Sequence, residues 1–498
     1  MSERRPGPRL RVSRGHRAGD LRVIRRRGPR RGLERVLGVA GVFSASYGNV
    51  GSSIYYGLGV TALYALGLTP LVFVISGLFF LCTALTYAEG SAAMPEAGGA
   101  ASFSRRAFGQ GFSFMVGWAQ ILNYLITISI SAFTVPNYLS VFWPLLKSWP
   151  ANAIGGVGVV LALGTLNIVG ARESSRLNIA LALIDLATQA LLVVIGLALV
   201  FNLDLLRAGI HLGIAPTWDR LLLGIAISMI AYTGIETASN LSEETRNATR
   251  AVPRGILTTF VAVLVMYTLI PLVALSAMPV QLVDGVYQTR LATEFIEDPV
   301  LGVVRELGFV GVTSRVVEAW VGILAATILA LATNAGMLGM SRLTYSMSRH
   351  GQLPAAVGAL HPRRRTPVTA IVLTVILASA VIVPGKITLL ASLYAFGAML
   401  SFTFAHASII RLRVSEPELE RPFHIPWNWR LRGRQIPVPA LIGGGATLFS
   451  WFVVVLTQPT AWIIGFPWLG AGLLYYLWRR RRGEVDDPRT RPDSASTG

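Results

Sequence analysis

The sequence predicts an all-α polytopic membrane protein with twelve transmembrane helices. Three observations carry that reading. Of 498 residues, 53% are hydrophobic and 14% charged, against about 25% charged in an ordinary soluble domain. The apolar residues fall in blocks of around twenty, the length that crosses a bilayer as helix. The positive residues then segregate between alternate connections, as the positive-inside rule requires.

Residues 1–36 carry thirteen Arg against Glu3, Asp20 and Glu34 and are broken throughout by Pro and Gly. This segment reads as a disordered cytoplasmic tail that touches anionic lipid rather than nucleic acid. Arg25 to Arg27, the apolar run from Val36 and Ser44-Ala45-Ser46 imitate a signal peptide, but the apolar pattern resumes at Ile54, so the run is taken as the first span. Spans are read at 37–66, 69–92, 111–143, 152–169, 174–202, 219–242, 255–278, 316–347, 366–384, 387–411, 436–457 and 460–478. With the N-terminus inside, the tails and inner connections hold 37 Lys and Arg and the outer connections seven, Lys147, Arg207, Arg220, Arg290, Arg305, Arg315 and Lys386. Without the N-terminal tail the split is still 24 to seven, which places both termini in the cytoplasm. The connection 279–315, with Asp284, Glu294, Glu297, Asp298 and Glu306, reads as a partly helical extracellular cover. Residues 479–498 form a short polar tail.

Two spans are interrupted. The first contains Tyr47-Gly48-Asn49-Val50-Gly51-Ser52-Ser53, and the sixth contains Ala231-Tyr232-Thr233-Gly234-Ile235-Glu236-Thr237-Ala238-Ser239. Small residues alone admit close helix packing. Five spans separate the two interruptions, however, and an odd offset reverses the helix direction, as a five-plus-five inverted repeat requires. The repeats are then 37–202 and 219–411, with two additional C-terminal helices at 436–478. A discontinuous helix offers amides with partial positive charge and carbonyls with partial negative charge at one depth, which suits a zwitterion. Amides around Gly51, Ser52 and Ser53 can hold a carboxylate, and carbonyls near Asn49, Ile230 and Thr233 an ammonium.

Ionisable residues inside the spans are few: Glu89 and Glu96 at the inner end of span two, Asp185 in span five and Glu236 beside the sixth-span break. Asp185 lies about twelve residues, or roughly 18 Å, from the inner end of its helix, a depth at which a carboxyl can bind and release a proton at physiological pH. A structural, hydrogen-bonded role is the alternative for Asp185 and for Glu236. One cysteine, Cys82, and six scattered His give no disulfide framework and no metal-ligand spacing, so no metal and no cofactor are expected. There is no nucleophile with a partnered base and no phosphate loop, which argues against an enzyme. His406, within span ten, is left with either a packing or a proton-sensitive role.

These residues resemble the amino acid, polyamine and organocation (APC) transporter superfamily, whose five-plus-five repeat is called the LeuT-type fold. Gly51-Ser52-Ser53-Ile54-Tyr55 is similar to the family's glycine-rich first break, and Pro95-Glu96-Ala97-Gly98-Gly99 to the signature closing span two. Gly234-Ile235-Glu236 matches the sixth-helix break, Asn334-Ala335 with Ser341-Arg342 the eighth-helix motif, and Arg421-Pro422-Phe423 the segment before span eleven. The resemblance, over roughly 37–480, implies substrate contacts at Asn49, Gly51, Ser52, Ser53, Ile230, Thr233 and Gly234, with Glu236 as a gating or coupling carboxylate. Many proton-coupled members carry a Lys in span five where this sequence reads Ile184-Asp185-Leu186. The inverted charge leaves Asp185 able to take a proton, to help Thr333 hold a cation such as sodium, or to pair with a cationic substrate. The function expected is secondary transport of amino acids or related organic amines across the plasma membrane, with proton-coupled symport leading and exchange or cationic amine carriage, sodium-coupled or not, as the alternative. A channel or membrane enzyme is the remote alternative. Arg-rich, Lys-poor usage points to a bacterial source; the oligomeric state is not legible.

Overall fold

The computed structural model describes residues 35–169, 175–362, 364, 366–431 and 433–483. The tail readings for 1–34 and 484–498, and those on Arg172, Arg363, Arg365 and Arg432, lie outside the described residues.

Most of the described residues are helical. In order it forms α1 (Val39–Val50), α2 (Ile54–Ala65), α3 (Thr69–Ala93), α4 (Ala100–Phe108), α5 (Gln110–Leu139), α6 (Ala151–Val169), α7 (Ser175–Leu199), α8 (Leu203–Ala208), α9 (Trp218–Ser228), α10 (Glu236–Asn240) and α11 (Ala248–Ala277). It continues as the hairpin β1 (Gln281–Val283) and β2 (Val286–Gln288), then α12 (Arg290–Thr293), α13 (Pro299–Glu306), α14 (Gly311–Arg349), α15 (Ala355–Gly358), α16 (Val368–Ile382) and α17 (Ile387–Ser415). A second hairpin, β3 (Asn428–Leu431) and β4 (Arg434–Pro437), precedes α18 (Val438–Thr457) and α19 (Pro459–Arg481). Ten helices among the described residues are long and apolar enough to cross a membrane, the first being the 55-residue run Val39–Ala93; α16, at 15 residues, is a shorter apolar helix.

Burial sorts these helices into a centre and a rim. The most apolar stretch of α5 is 89% buried and that of the α9–α10 run 83%, against 28% for α6 and 22% for α19. Side chains such as Ile154, Val194, Leu456 and Leu474 are exposed. Outward-facing aliphatic residues on long helices are what a hydrocarbon solvent accepts and water does not. The polar side chains are gathered instead on α1, α5 and α10, where Asn49, Asn123, Glu236 and Asn240 are buried.

Several details differ from the sequence reading. Span eight is longer than read, 39 residues rather than 316–347, and α4 follows the Pro95–Gly99 signature as a separate helix. The cover is partly helical as expected, but it opens with a hairpin turning at Asp284-Gly285, both at positive φ; that pair is favoured in two-residue hairpin loops. Glu89 and Glu96 serve as anchors. Glu89 accepts from Arg413 through both oxygens at 2.6 Å and from Ile425 N–H at 2.8 Å, with Arg421 at 3.4 Å. Glu96 pairs with Arg105 at 2.5 Å. His406 is packed, with its two ring nitrogens against the hydroxyls of Thr86 (2.8 Å) and Thr83 (3.2 Å).

Candidate functional site at the two helix breaks

The sharper break is the second. After α9 the backbone tightens into a 3-10 turn over Met229–Tyr232, Thr233 is extended and Gly234 takes φ +117° before α10 begins at Glu236. A side chain strains at such a φ, so the glycine marks the turn itself. The Ile230 carbonyl accepts from the Thr233 amide at 3.1 Å and its hydroxyl at 2.7 Å. Gly234 N–H, freed from any helical partner, donates to Glu236 Oε2 at 2.9 Å, while Oε1 accepts from Asn123 Nδ2 of α5 at 2.8 Å. Glu236 therefore satisfies the break's own backbone and ties it to the central helix.

Asn49 joins the two breaks. A Cβ at Gly234 would lie 2.8 Å from Asn49 Cγ, and Asn49 Nδ2 donates to Thr237 Oγ1 at 2.9 Å. Asn49 Oδ1 is buried with no hydrogen-bond partner among the described residues, which leaves an acceptor at the junction.

The first break is gentler than the second. Gly51–Ser53 form one 3-10 turn between α1 and α2, with Gly51 at φ −63°, ψ −26° and Ser53 at φ −71°, ψ −17°, still helical. Gly51 N–H still donates to Tyr47 O, so it is not an open amide. The physical reason is local satisfaction: Asn49 O accepts from the Ser52 and Ser53 hydroxyls at 2.9 and 3.4 Å. The Tyr267 hydroxyl donates to Val50 O and accepts from Ile54 N–H at 3.0 Å. Gly51 is needed because a Cβ would lie 2.7 Å from the Tyr47 ring.

Asp185, on α7, is fully buried beside this turn. Its Oδ2 accepts from Tyr47 at 3.0 Å and Gln189 Nε2 at 2.8 Å, and its Oδ1 from Tyr55 at 2.7 Å. Tyr47 lies before the 3-10 turn and Tyr55 after it. Thr333 is buried on α14, but its hydroxyl donates to Leu329 O at 2.9 Å, one turn back, and no hydrogen bond joins it to Asp185. The structure thus brings Asn49, Thr233, Gly234 and Glu236 to one junction and Gly51 to Ser53 beside Asp185; Thr333 stands apart from both carboxylates' hydrogen bonds.

Sequence reasoning missed Tyr47, Tyr55, Asn123, Gln189, Thr237 and Tyr267. One signal was available, since Asp185 and Gln189 sit at i and i+4 on one helix face. The others meet only through packing between distant helices. Between α1, α7, α10 and α14 lies a cavity of about 40 Å³, lined by Ser44, Gly48, Ala182, Thr237, Leu241 and Ala335 among others. It has room for roughly two or three waters beside the Asn49–Thr237 contact. Chemically the region offers two buried carboxylates held by neutral donors, with no Lys, Arg or His paired to either among the described residues. Such groups can exchange a proton or hold a cation.

An amino acid permease family model matches residues 37–475. The methylthioribose transporter of Bacillus subtilis is 28% identical over 428 residues, covering 82% of this chain and 85% of that protein. The branched-chain amino acid permease BcaP of the same organism is 24% identical over 477 residues (91% and 95%), and the low-affinity putrescine importer PlaP of Escherichia coli 24% over 424 (82% and 84%). Helices fit for a membrane, buried polar helix breaks and this match along nearly the whole chain converge: the protein belongs to the amino acid permease family of the amino acid, polyamine and organocation superfamily, a multi-pass membrane transporter and not an enzyme.

Proposed function

We propose that this protein is a secondary active transporter that carries an amino acid or a related organic amine across the plasma membrane by alternating access, with a proton as the coupling ion. Substrate contacts are assigned to Asn49, Gly51, Ser52, Ser53, Ile230, Thr233 and Gly234. Asp185 and Glu236 are assigned coupling and gating, and Thr333 is kept as a cation-site candidate. Our reading keeps twelve spans. A 55-residue run is about 80 Å of helix, more than twice the roughly 30 Å hydrocarbon core, so it makes two crossings, turning where Leu66 has φ +46°. α16 is read as the twelfth, and the distribution of Lys and Arg supports both termini inside.

One observation carries the proton reading: Asp185 is fully buried with three neutral donors and no cation. An unpaired carboxylate in hydrocarbon is costly enough to be eased by a proton. A second reading, carriage of a cationic amine or coupling to sodium, is favoured by the same uncompensated charge and by the putrescine importer among the relatives. The test is uptake of radiolabelled branched-chain amino acids, arginine and putrescine into proteoliposomes under imposed proton or sodium gradients, for wild type and Asp185→Asn. Accumulation driven by a proton gradient alone, with the variant reduced to exchange, is the expected result. A sodium requirement, or a variant that loses only arginine and putrescine, overturns proton coupling.

A further inference from the structure

Two tyrosines reach one carboxylate from opposite sides of a hinge. Tyr47 belongs to α1 and Tyr55 to α2, with the Gly51–Ser53 turn between them, and each donates to a different oxygen of Asp185. The turn is one 3-10 step, bridged by the Tyr267 hydroxyl between Val50 O and Ile54 N–H. The pair of tyrosine hydroxyls fixed to α7 is a second tie between α1 and α2.

The third donor, Gln189, carries the asymmetry. Its Nε2 donates to Asp185 Oδ2 at 2.8 Å, while its Oε1 is buried with no hydrogen-bond partner among the described residues. Nε2 also reaches Gly51 O at 3.5 Å, a long contact that is given up when a half-turn of the amide exchanges the two atoms. An ionised Asp185 is acceptor only and uses all three donors. One proton bound at Oδ2 turns that oxygen into a donor, and the otherwise unused Gln189 Oε1 becomes its acceptor. Tyr47, which shares Oδ2 and has the longer bond at 3.0 Å, then faces a neutral hydroxyl instead of a charged oxygen. Tyr55 keeps Oδ1.

We infer that Tyr47, Tyr55 and Gln189 are positioning residues that turn the protonation state of Asp185 into the relative placement of α1 and α2, the ionised form clamping both and the protonated form releasing α1. The inference rests on Asp185 as the proton carrier. The titratable groups facing Asp185 are Tyr47, Tyr55 and, from α11, Tyr267, which is occupied with Val50 O and Ile54 N–H. From α14, Trp320 meets α7 at Thr188, and the charged Glu318, Arg342 and Arg349 pair with Arg305, Glu244 and Glu243. On α13, Arg305 and Glu306 pair with Glu318 and Arg290.

The test needs no substrate. Amide hydrogen exchange of residues 39–65 is followed in lipid nanodiscs between pH 5.5 and 8.5, corrected for intrinsic rates, for wild type, Asp185→Asn, Tyr47→Phe, Tyr55→Phe and Gln189→Leu. Because Tyr47 loses a hydrogen bond to a charged group on protonation, in the wild type α1 protection should rise about tenfold or more through one transition as pH increases. Asp185→Asn should hold the low-protection state at every pH, Tyr47→Phe should abolish the transition in α1 only, and Gln189→Leu should shift its midpoint. Phenylalanine keeps the ring, so loss of packing is separated from loss of the hydroxyl. Protection that is flat with pH in the wild type, or a Tyr47→Phe transition equal to the wild type's, overturns the clamp even if uptake is proton-driven. A clamp that responds to pH in a protein whose uptake requires sodium overturns the coupling assignment instead.

Discussion

At the scale of single residues, Glu236 shows how one carboxylate serves two demands. It accepts Gly234 N–H, which the break has orphaned, and Asn123 Nδ2, which anchors it to α5. Asn123 Oδ1 has no hydrogen-bond partner among the described residues, so an Asn123 flip lets a glutamine at 236 donate to that oxygen while still accepting from Gly234. Glu236→Gln should therefore melt in detergent within about 1 kcal/mol of wild type, while Glu236→Ala, which strands both donors, should lose about 1–3 kcal/mol. If the two variants melt alike, the carboxylate is not holding the break together. Glu236 was legible in the sequence as a polar residue beside a glycine in an apolar run. Asn123 was not, because nothing in its own helix distinguishes it from the other polar residues there until α10 packs against it.

At the scale of elements, glycines of similar appearance in sequence have different duties. Gly48 lies in α1, and a methyl group there would meet nothing within 4 Å. Gly234 is at φ +117° with Asn49 Cγ 2.8 Å from the position a Cβ would take. Gly48→Ala should raise thermal stability by up to about 1 kcal/mol through helix propensity, and should slow turnover if the small cavity that Gly48 lines takes part in transport. Gly234→Ala should cost about 1–3 kcal/mol in backbone strain and displace Asn49. Thermal melts paired with uptake rates check both, and equal effects would contradict the different duties assigned to the two glycines. Both interruptions could be read from composition. That one is a gentle 3-10 step and the other a true turn could not, because the difference comes from Tyr267, Tyr47 and the serine hydroxyls satisfying the first from outside or across one turn.

At the scale of the molecule, the two ends of the bundle are fastened by different means. On the side of α4, Arg342 pairs with Glu244 at 2.7 Å, while Val36 and Leu37 N–H donate to Glu244 O. At the other end the cover is held by Lys147, bonded to both Asp298 oxygens at 2.8 Å, and by Tyr138, whose hydroxyl donates to Tyr55 O at 2.8 Å and accepts from Val300 N–H at 3.3 Å. Within the cover, burial and then the neighbouring Asp298 charge push Glu297 up from about 4.5 to about 7, with Lys147 opposing. The closed cover thus binds a proton that the opened segment gives up. Closure is favoured at low pH and loses this contribution as pH rises from about 4.5 through about 7. Hydrogen exchange of residues 289–306, corrected for intrinsic rates, should accelerate from pH 5 to pH 8, and Glu297→Gln should flatten that change. A variant with the wild-type slope would assign the effect to another group.

Legible in the sequence alone were the class of solvent, the helical content, the positions of both interruptions and the two carboxylates within the spans, Asp185 and Glu236. Each of these is a local property: apolar length, glycine in an apolar run, a charge with no neighbour in sequence. The tertiary structure decided how the breaks are built, which donors hold Asp185, and that Thr333 is bonded to its own helix. Those depend on contacts between residues as far apart as 47 and 185 or 123 and 236, and a hydrogen bond is fixed by the rotation and depth of both helices that carry its partners.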